Sequence, residues 1–183
     1  MRLFTAIGIG DEAHRALSAA QEALRARAEF RRWQPLAQLH LTLNFLGEVP
    51  EGRLPALHEA VAAAARASGP FTLALGQLGA FPGPRRPRVL WAGVEGDLAP
   101  LVALQADLAE RFQALGLVLE ARRYAPHLTL AREPIGPVDL AALASAVPIA
   151  PVPWRVEAVT LFHSQLRPEG AIHTALVQAG LGG

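Results

Sequence analysis

Apolar and polar positions along the chain fall into short runs, and the period of the pattern changes from one run to the next. Arg2–Ile9 is almost continuously apolar and is closed by Gly10, which predicts a strand. Asp11 stands where an N-cap belongs. After it an Ala-, Leu-, Glu- and Arg-rich stretch, with Leu17 and Leu24 seven positions apart, predicts a helix to about Phe30. Gln38–Leu46 alternates with period two and ends at Gly47, so it predicts a second strand. Leu54–Ala67 is helical and stops at Gly69-Pro70, Phe71–Leu78 is a strand, and Phe81–Pro87 is a loop dense in Pro and Arg.

The pattern then starts again. Arg88–Glu95 is a strand, Gly96-Asp97 a turn and cap, and Leu98–Leu115 a helix ending at Gly116. A strand at Ala125–Ala131, a helix at about Val138–Ala146 and strands at Trp154–Gln165 and Ala171–Gln178 follow. Sliding the chain by 86 residues sets Arg2, Ala6, Gly10, Asp11 and Ala13 on Arg88, Ala92, Gly96, Asp97 and Ala99. With one more residue inserted, His40-Leu41-Thr42-Leu43 falls on the identical His127-Leu128-Thr129-Leu130. Two copies are too few for a solenoid. The expectation is an α+β fold: one bilobed domain over residues 1–183, with an internal repeat of roughly 1–87 and 88–183. Each pseudo-symmetric lobe holds an antiparallel or mixed sheet and two helices beside a central cleft. A doubly wound parallel sheet fits less well, because the key strands alternate and no Gly-rich loop follows the first strand.

The repeated tetrapeptide carries the chemistry. Successive side chains of a strand point to opposite faces, so His40 and Thr42 share one face while Leu41 and Leu43 enter the core. His127 and Thr129 do the same over Leu128 and Leu130. Two such strands facing one cleft supply two imidazoles, able to act as acid and base near neutrality, and two hydroxyls able to donate to phosphate oxygens. That is the equipment of metal-free phosphodiester cleavage.

The paired His-x-Thr-x motifs, 87 positions apart, resemble those of the two-histidine phosphoesterases. Arg32-Trp33 upstream, the run His40-Leu-Thr-Leu-Asn-Phe-Leu-Gly-Glu-Val49, the run Pro126-His-Leu-Thr-Leu-Ala-Arg132 and the strand Val159–Leu166 look like the bacterial and archaeal RNA 2′,3′-cyclic phosphodiesterase branch, also called 2′-5′ RNA ligases. The resemblance covers nearly the whole chain. It implies hydrolysis of RNA 2′,3′-cyclic phosphate ends to 2′-phosphomonoesters, with reversible 2′-5′ ligation as the reverse direction. It implies His40 as proton donor, His127 as proton acceptor, and Thr42, Thr129 and Arg132 around the phosphate. Phe45 points into the core on strict alternation; the resemblance alone makes it a base-stacking residue. Asn44 stands where relatives often carry Lys. The substrate implied is RNA with a cyclic phosphate end, whether a tRNA half, a messenger fragment or a cyclic nucleotide, with no cofactor and no metal.

Composition narrows the alternatives. Of 183 residues 51% are hydrophobic and 18% charged, enough for a real core. The net charge is +1 and every cationic side chain is Arg, so any contact with nucleic acid is local. Cysteine is absent, which excludes a thiolate nucleophile and Cys-based metal sites. A single Asn, a single Met and 15 Pro fit a heat-adapted protein. No apolar run reaches the roughly 18 residues of a membrane span, so a cytoplasmic protein without membrane contact is expected, and two lobes in one chain make a monomer sufficient. A metallohydrolase is the weakest alternative, because neither motif carries a second His or a carboxylate at ligand spacing. A non-catalytic RNA-end or nucleotide binder has no need of two titrating imidazoles. Of the other histidines, His14 and His58 are expected on exposed helix faces, and His163 and His173 in structural or peripheral places on the last strands. Arg85-Arg86-Pro87-Arg88 is either a solvated connector or a contact for an RNA backbone. Trp33 and Tyr124, each behind two arginines, are placed between base stacking and packing on their own lobes, with packing favoured for Trp33.

Overall fold

The computed structural model describes residues 1–168 and 170–183. Its strands are β1 (Arg2–Ile7), β2 (Phe30–Trp33), β3 (Leu41–Glu48), β4 (Phe71–Phe81), β5 (Val89–Gly96), β6 (His127–Pro134), β7 (Pro153–Val156), β8 (Ala158–Arg167) and β9 (Gly170–Gly180). Its helices are α1 (Asp11–Arg25), α2 (Leu54–Ala67), α3 (Leu98–Ala114) and α4 (Leu140–Ala146). The strands form two sheets, β3-β1-β8-β9 and β2-β6-β5-β4-β7, and every pairing is antiparallel. Helices α2 and α3 lie against the first sheet, at β8, β9 and β3, while α1 and α4 reach β7 and β4 of the second. Amphipathic helices explain this layering: Leu17 and Leu24 of α1, and Leu101, Leu104, Leu108 and Phe112 of α3, are fully buried.

The two triplets β3-β1-β8 and β6-β5-β4 are the same arrangement, with one exchange. The third strand of each comes from the other half of the sequence: β4 precedes residue 88 yet pairs with β5, and β8 follows it yet pairs with β1. Each sheet therefore draws strands from both halves of the chain.

Three expectations are corrected. Helix α1 ends at Arg25 and not near Phe30, because Phe30–Trp33 pairs with β6 and buries Phe30. Its N-cap is Gly10; Asp11 and Glu12 occupy the first turn, where carboxylates favour the helix dipole. The run Trp154–Gln165 is two strands, because the chain changes sheets at Glu157, whose carbonyl accepts from Leu181 N–H at 2.8 Å.

Candidate active site

The two motif strands carry matching irregularities. In β3, Thr42 pairs with Ala6 and Asn44 with Thr5, so Leu43 is an extra residue, a β-bulge. In β6, Thr129 pairs with Trp91 and Ala131 with Leu90, so Leu130 is the extra residue. Each bulge flips the phase of the residues beyond it. Asn44 is buried against α3, its amide donating to the Gln105 carbonyl and its oxygen accepting from Thr5. Phe45 consequently turns to the opposite face and is 55% exposed, which overturns the core position that strict alternation assigns it. Arg132 holds the corresponding place on β6. The ladders also make Trp91, rather than Ala92, the counterpart of Ala6.

Both motif histidines lie on the open faces and are held in the same way. His40 Nδ1 is 2.6 Å from the Gln38 carbonyl, and His127 Nδ1 is 2.7 Å from the Ala125 carbonyl. A carbonyl only accepts, so each Nδ1 carries the hydrogen and each Nε2 is left for chemistry. Each imidazole also meets an aromatic ring from the strand that crosses over from the other half. Phe81 stands edge-on to His127 at 4.8 Å, and Phe162 stacks on His40 at 6.2 Å. Trp91 lies over Gly79 so closely that a Cβ there would sit 2.0 Å from the indole, which is why glycine occupies that rung.

Burial dominates the electrostatics. It pushes His40 down to about 4, against the raising effect of the Gln38 carbonyl and with a smaller lowering from His173. His127 is also lowered, first by burial, opposed by the Ala125 carbonyl, and then by the charges of Arg132 and Arg122. Both imidazoles of the free protein are therefore biased toward the neutral form. The phenol of Tyr124, raised by burial, donates to the Thr42 carbonyl at 3.0 Å and ties the two motif segments together. Across the molecule, Gln34 N–H donates to the Leu130 carbonyl, and the buried Gln21 amide donates to the carbonyls of both Gln34 and Leu130.

Thr42 and Thr129 are half-buried on the open faces, and among the described residues neither hydroxyl is engaged by protein. His173 belongs to this site, contrary to the peripheral place expected for it. Its ring is 5.3 Å from His40 and 4.9 Å from Phe4, and its Nδ1 is buried without a partner. Phe4 contacts His40, Phe45, Phe162 and His173 and forms the floor of that half of the cleft. No motif marks Phe4, Phe162 or His173; only strand pairing assembles them. His14 and His58 are half-buried rather than exposed, and His14 Nε2 donates to the Leu36 carbonyl at 2.7 Å. Trp33 packs within its own lobe, between Arg25 and Phe30. Among the described residues no three His, Asp or Glu side chains gather as a metal set. None of the helices among them is long and apolar enough to cross a membrane.

A family model described as the 2′-5′ RNA ligase superfamily matches residues 11–167. An RNA 2′,3′-cyclic phosphodiesterase of Thermus thermophilus is 37% identical over 191 positions, covering 100% of this chain and 91% of its own. A protein of the same name from Geobacillus stearothermophilus is 39% identical over 155 residues, 82% of this chain; the match spans only 49% of that relative's length. Among solved structures, TT0787 of Thermus thermophilus superposes with a TM-score of 0.83 at 33% identity, covering 100% of this chain and 99% of that one. The Escherichia coli LigT complex with 3′-AMP gives 0.77 at 27% identity over 98% and 97%.

Proposed function

The chain belongs to the 2′-5′ RNA ligase superfamily, and from that premise we propose that it is a metal-independent RNA 2′,3′-cyclic phosphodiesterase whose acid and base are His40 and His127. The observation that carries this reading is the duplicated Nδ1–carbonyl hydrogen bond, which leaves both Nε2 atoms in the form acid–base chemistry needs. Neutral His127 takes a proton from water at Nε2 while the water oxygen bonds to phosphorus. The P–O3′ bond breaks, and His40, protonated at Nε2, gives its proton to O3′. The phosphate stays on O2′. Thr42 and Thr129 donate to the non-bridging oxygens, where hydrogen bonds to developing charge are strongest, and Arg132 faces the same charge. Phe45, exposed beside Phe4, offers a face on which the terminal base stacks. If an RNA 5′-hydroxyl replaces water, the same steps give a 2′-5′ linkage.

His40 must hold a proton at the start, although burial lowers it to about 4 in the free protein. The anionic phosphate supplies the missing bias, since an opposite charge within a few ångströms favours the imidazolium. The test is product mapping on an oligonucleotide with a cyclic end, with EDTA present. A 2′-phosphate product is expected; a 3′-phosphate product, or activity abolished by the chelator, overturns the reading.

A further inference from the structure

One basic feature lies outside the acid–base site. A cavity of about 330 Å³ is lined by Arg31, Arg86, Pro87, Arg88, Glu133 and Pro134, which come from β2, the loop between β4 and β5, and the end of β6. Three arginines and one glutamate are among its lining residues. Among the described residues, Arg31, Arg86 and Arg88 make no ion pair, whereas Glu133 reaches out of the cavity to Arg32 at 3.6 Å. The cavity adjoins the motif strand β6 one residue beyond Arg132, where Glu133 and Pro134 line it. Arg132 pairs with Val89 on one side and with Arg32 on the other, and the next residue, Glu133, donates its N–H to the Arg88 carbonyl at 2.9 Å. Like charges directly opposite one another on a sheet are unfavourable, and Arg32 bears against the charge of Arg132. Arg32 and Arg132 thus lie at positions adjacent in sequence to the cavity residues Arg31 and Glu133, and Glu133 is the carboxylate among them.

We infer that this cavity is a second phosphate subsite, which holds the phosphodiester backbone of single-stranded RNA next to the terminal nucleotide. The inference rests on the phosphodiesterase reading of the cleft and extends it to substrate length. A 2′,3′-cyclic phosphate is by its chemistry the 3′ end of a strand, so every other phosphate lies on the 5′ side. With the terminal phosphate held at the two threonines and Arg132, the preceding phosphate meets the cations of the adjoining cavity. Arginine suits this place because its planar donors pair with phosphate oxygens two at a time. The carboxylate of Glu133 opposes an anion in this cavity, and it sets the sign of one control. Under this proposal the 85–88 loop meets the RNA backbone instead of serving as a solvated connector.

The experiment compares adenosine 2′,3′-cyclic phosphate with a four-nucleotide RNA carrying the same cyclic end. The triple variant Arg31→Ala/Arg86→Ala/Arg88→Ala is expected to keep kcat/KM on the mononucleotide, which also reports its folding. On the oligonucleotide it should lose about tenfold and flatten the salt dependence, by about 0.7 in logarithmic slope for each phosphate left without its arginine. Glu133→Gln should act in the opposite direction and favour the oligonucleotide. Equal losses on both substrates, or none on the oligonucleotide, overturn the subsite. Binding of a fluorescent oligonucleotide ending in a 2′-phosphate, followed by anisotropy against salt, decides the matter independently of turnover. Loss of binding in the triple variant supports the subsite even where the wild-type protein fails to cleave, a failure that would count against the phosphodiesterase reading alone.

Discussion

At the scale of single residues, protonation is the sharpest handle. In the proposed mechanism the productive form carries one proton on the histidine pair. The bell expected around neutrality from unperturbed imidazoles should be displaced in the free enzyme, because burial lowers both His40 and His127. The profile of kcat/KM, which reports free enzyme, should peak on the acid side of neutrality. That of kcat, with phosphate in place, should have its alkaline limb moved upward. Coincident limbs in the two profiles would show that substrate does not hold the proton on His40. Replacing either histidine by Ala should lower kcat about 10²–10⁴-fold, with the double variant far short of the product of the two, because both act in one displacement. The same shift bears on stability. The unfolded chain binds the His40 proton more readily, so stability rises with pH through this window: the loss begins as pH falls below about 6.5 and is complete below about 4. Urea unfolding at a series of pH values, with and without His40→Ala, isolates that contribution.

At the scale of elements, the decisive feature is the pair of bulges at Leu43 and Leu130. Without them, five positions after each histidine would face the helices, and neither Phe45 nor Arg132 would reach the cleft. A bulge leaves carbonyls without their ladder partners, and at Leu130 the deficit is met by Gln34 N–H and the Gln21 amide. Gln21→Leu preserves volume but leaves the Gln34 carbonyl without its side-chain donor. It should cost about 1–3 kcal/mol in denaturant unfolding, the penalty of an unsatisfied buried group. It should also lower kcat, since Thr129 and Arg132 flank the bulge. A fully stable variant would show that water takes over the role of Gln21.

At the scale of the whole molecule, the exchange of β4 and β8 makes the two sequence halves mutually dependent. A fragment of residues 1–87 would hold β1 and β3 without β8, and β4 without β5. It would expose unpaired edges on both β1 and β4, and much apolar surface with them. Fragments 1–87 and 88–183 should therefore be unfolded when separate, by circular dichroism and amide dispersion in NMR spectra. On mixing, they should regain structure together. A folded isolated half would contradict this dependence. The exchange also explains how each motif imidazole comes to rest against an aromatic ring from the opposite half, Phe81 for His127 and Phe162 for His40.

The sequence by itself determined the four helices, most of the strands, and the placing of the repeated pairs His40, Thr42 and His127, Thr129 on strands, because each copy repeats the same alternation with the same polar pair. It could not show where the alternation slips. A bulge adds one residue without changing residue types, so Phe45 read as core until the ladders with β1 placed Asn44 against α3. Nor did it show which strands pair across the repeat, since a strand's apolar face fits either sheet. The division of Trp154–Gln165 at Glu157, the strand at Phe30–Trp33 and the crossing of β4 and β8 were all decided by tertiary packing. The same holds for His173, Phe4 and the arginine cavity. Their residues are scattered along the chain, and only the register of the sheets brings them together.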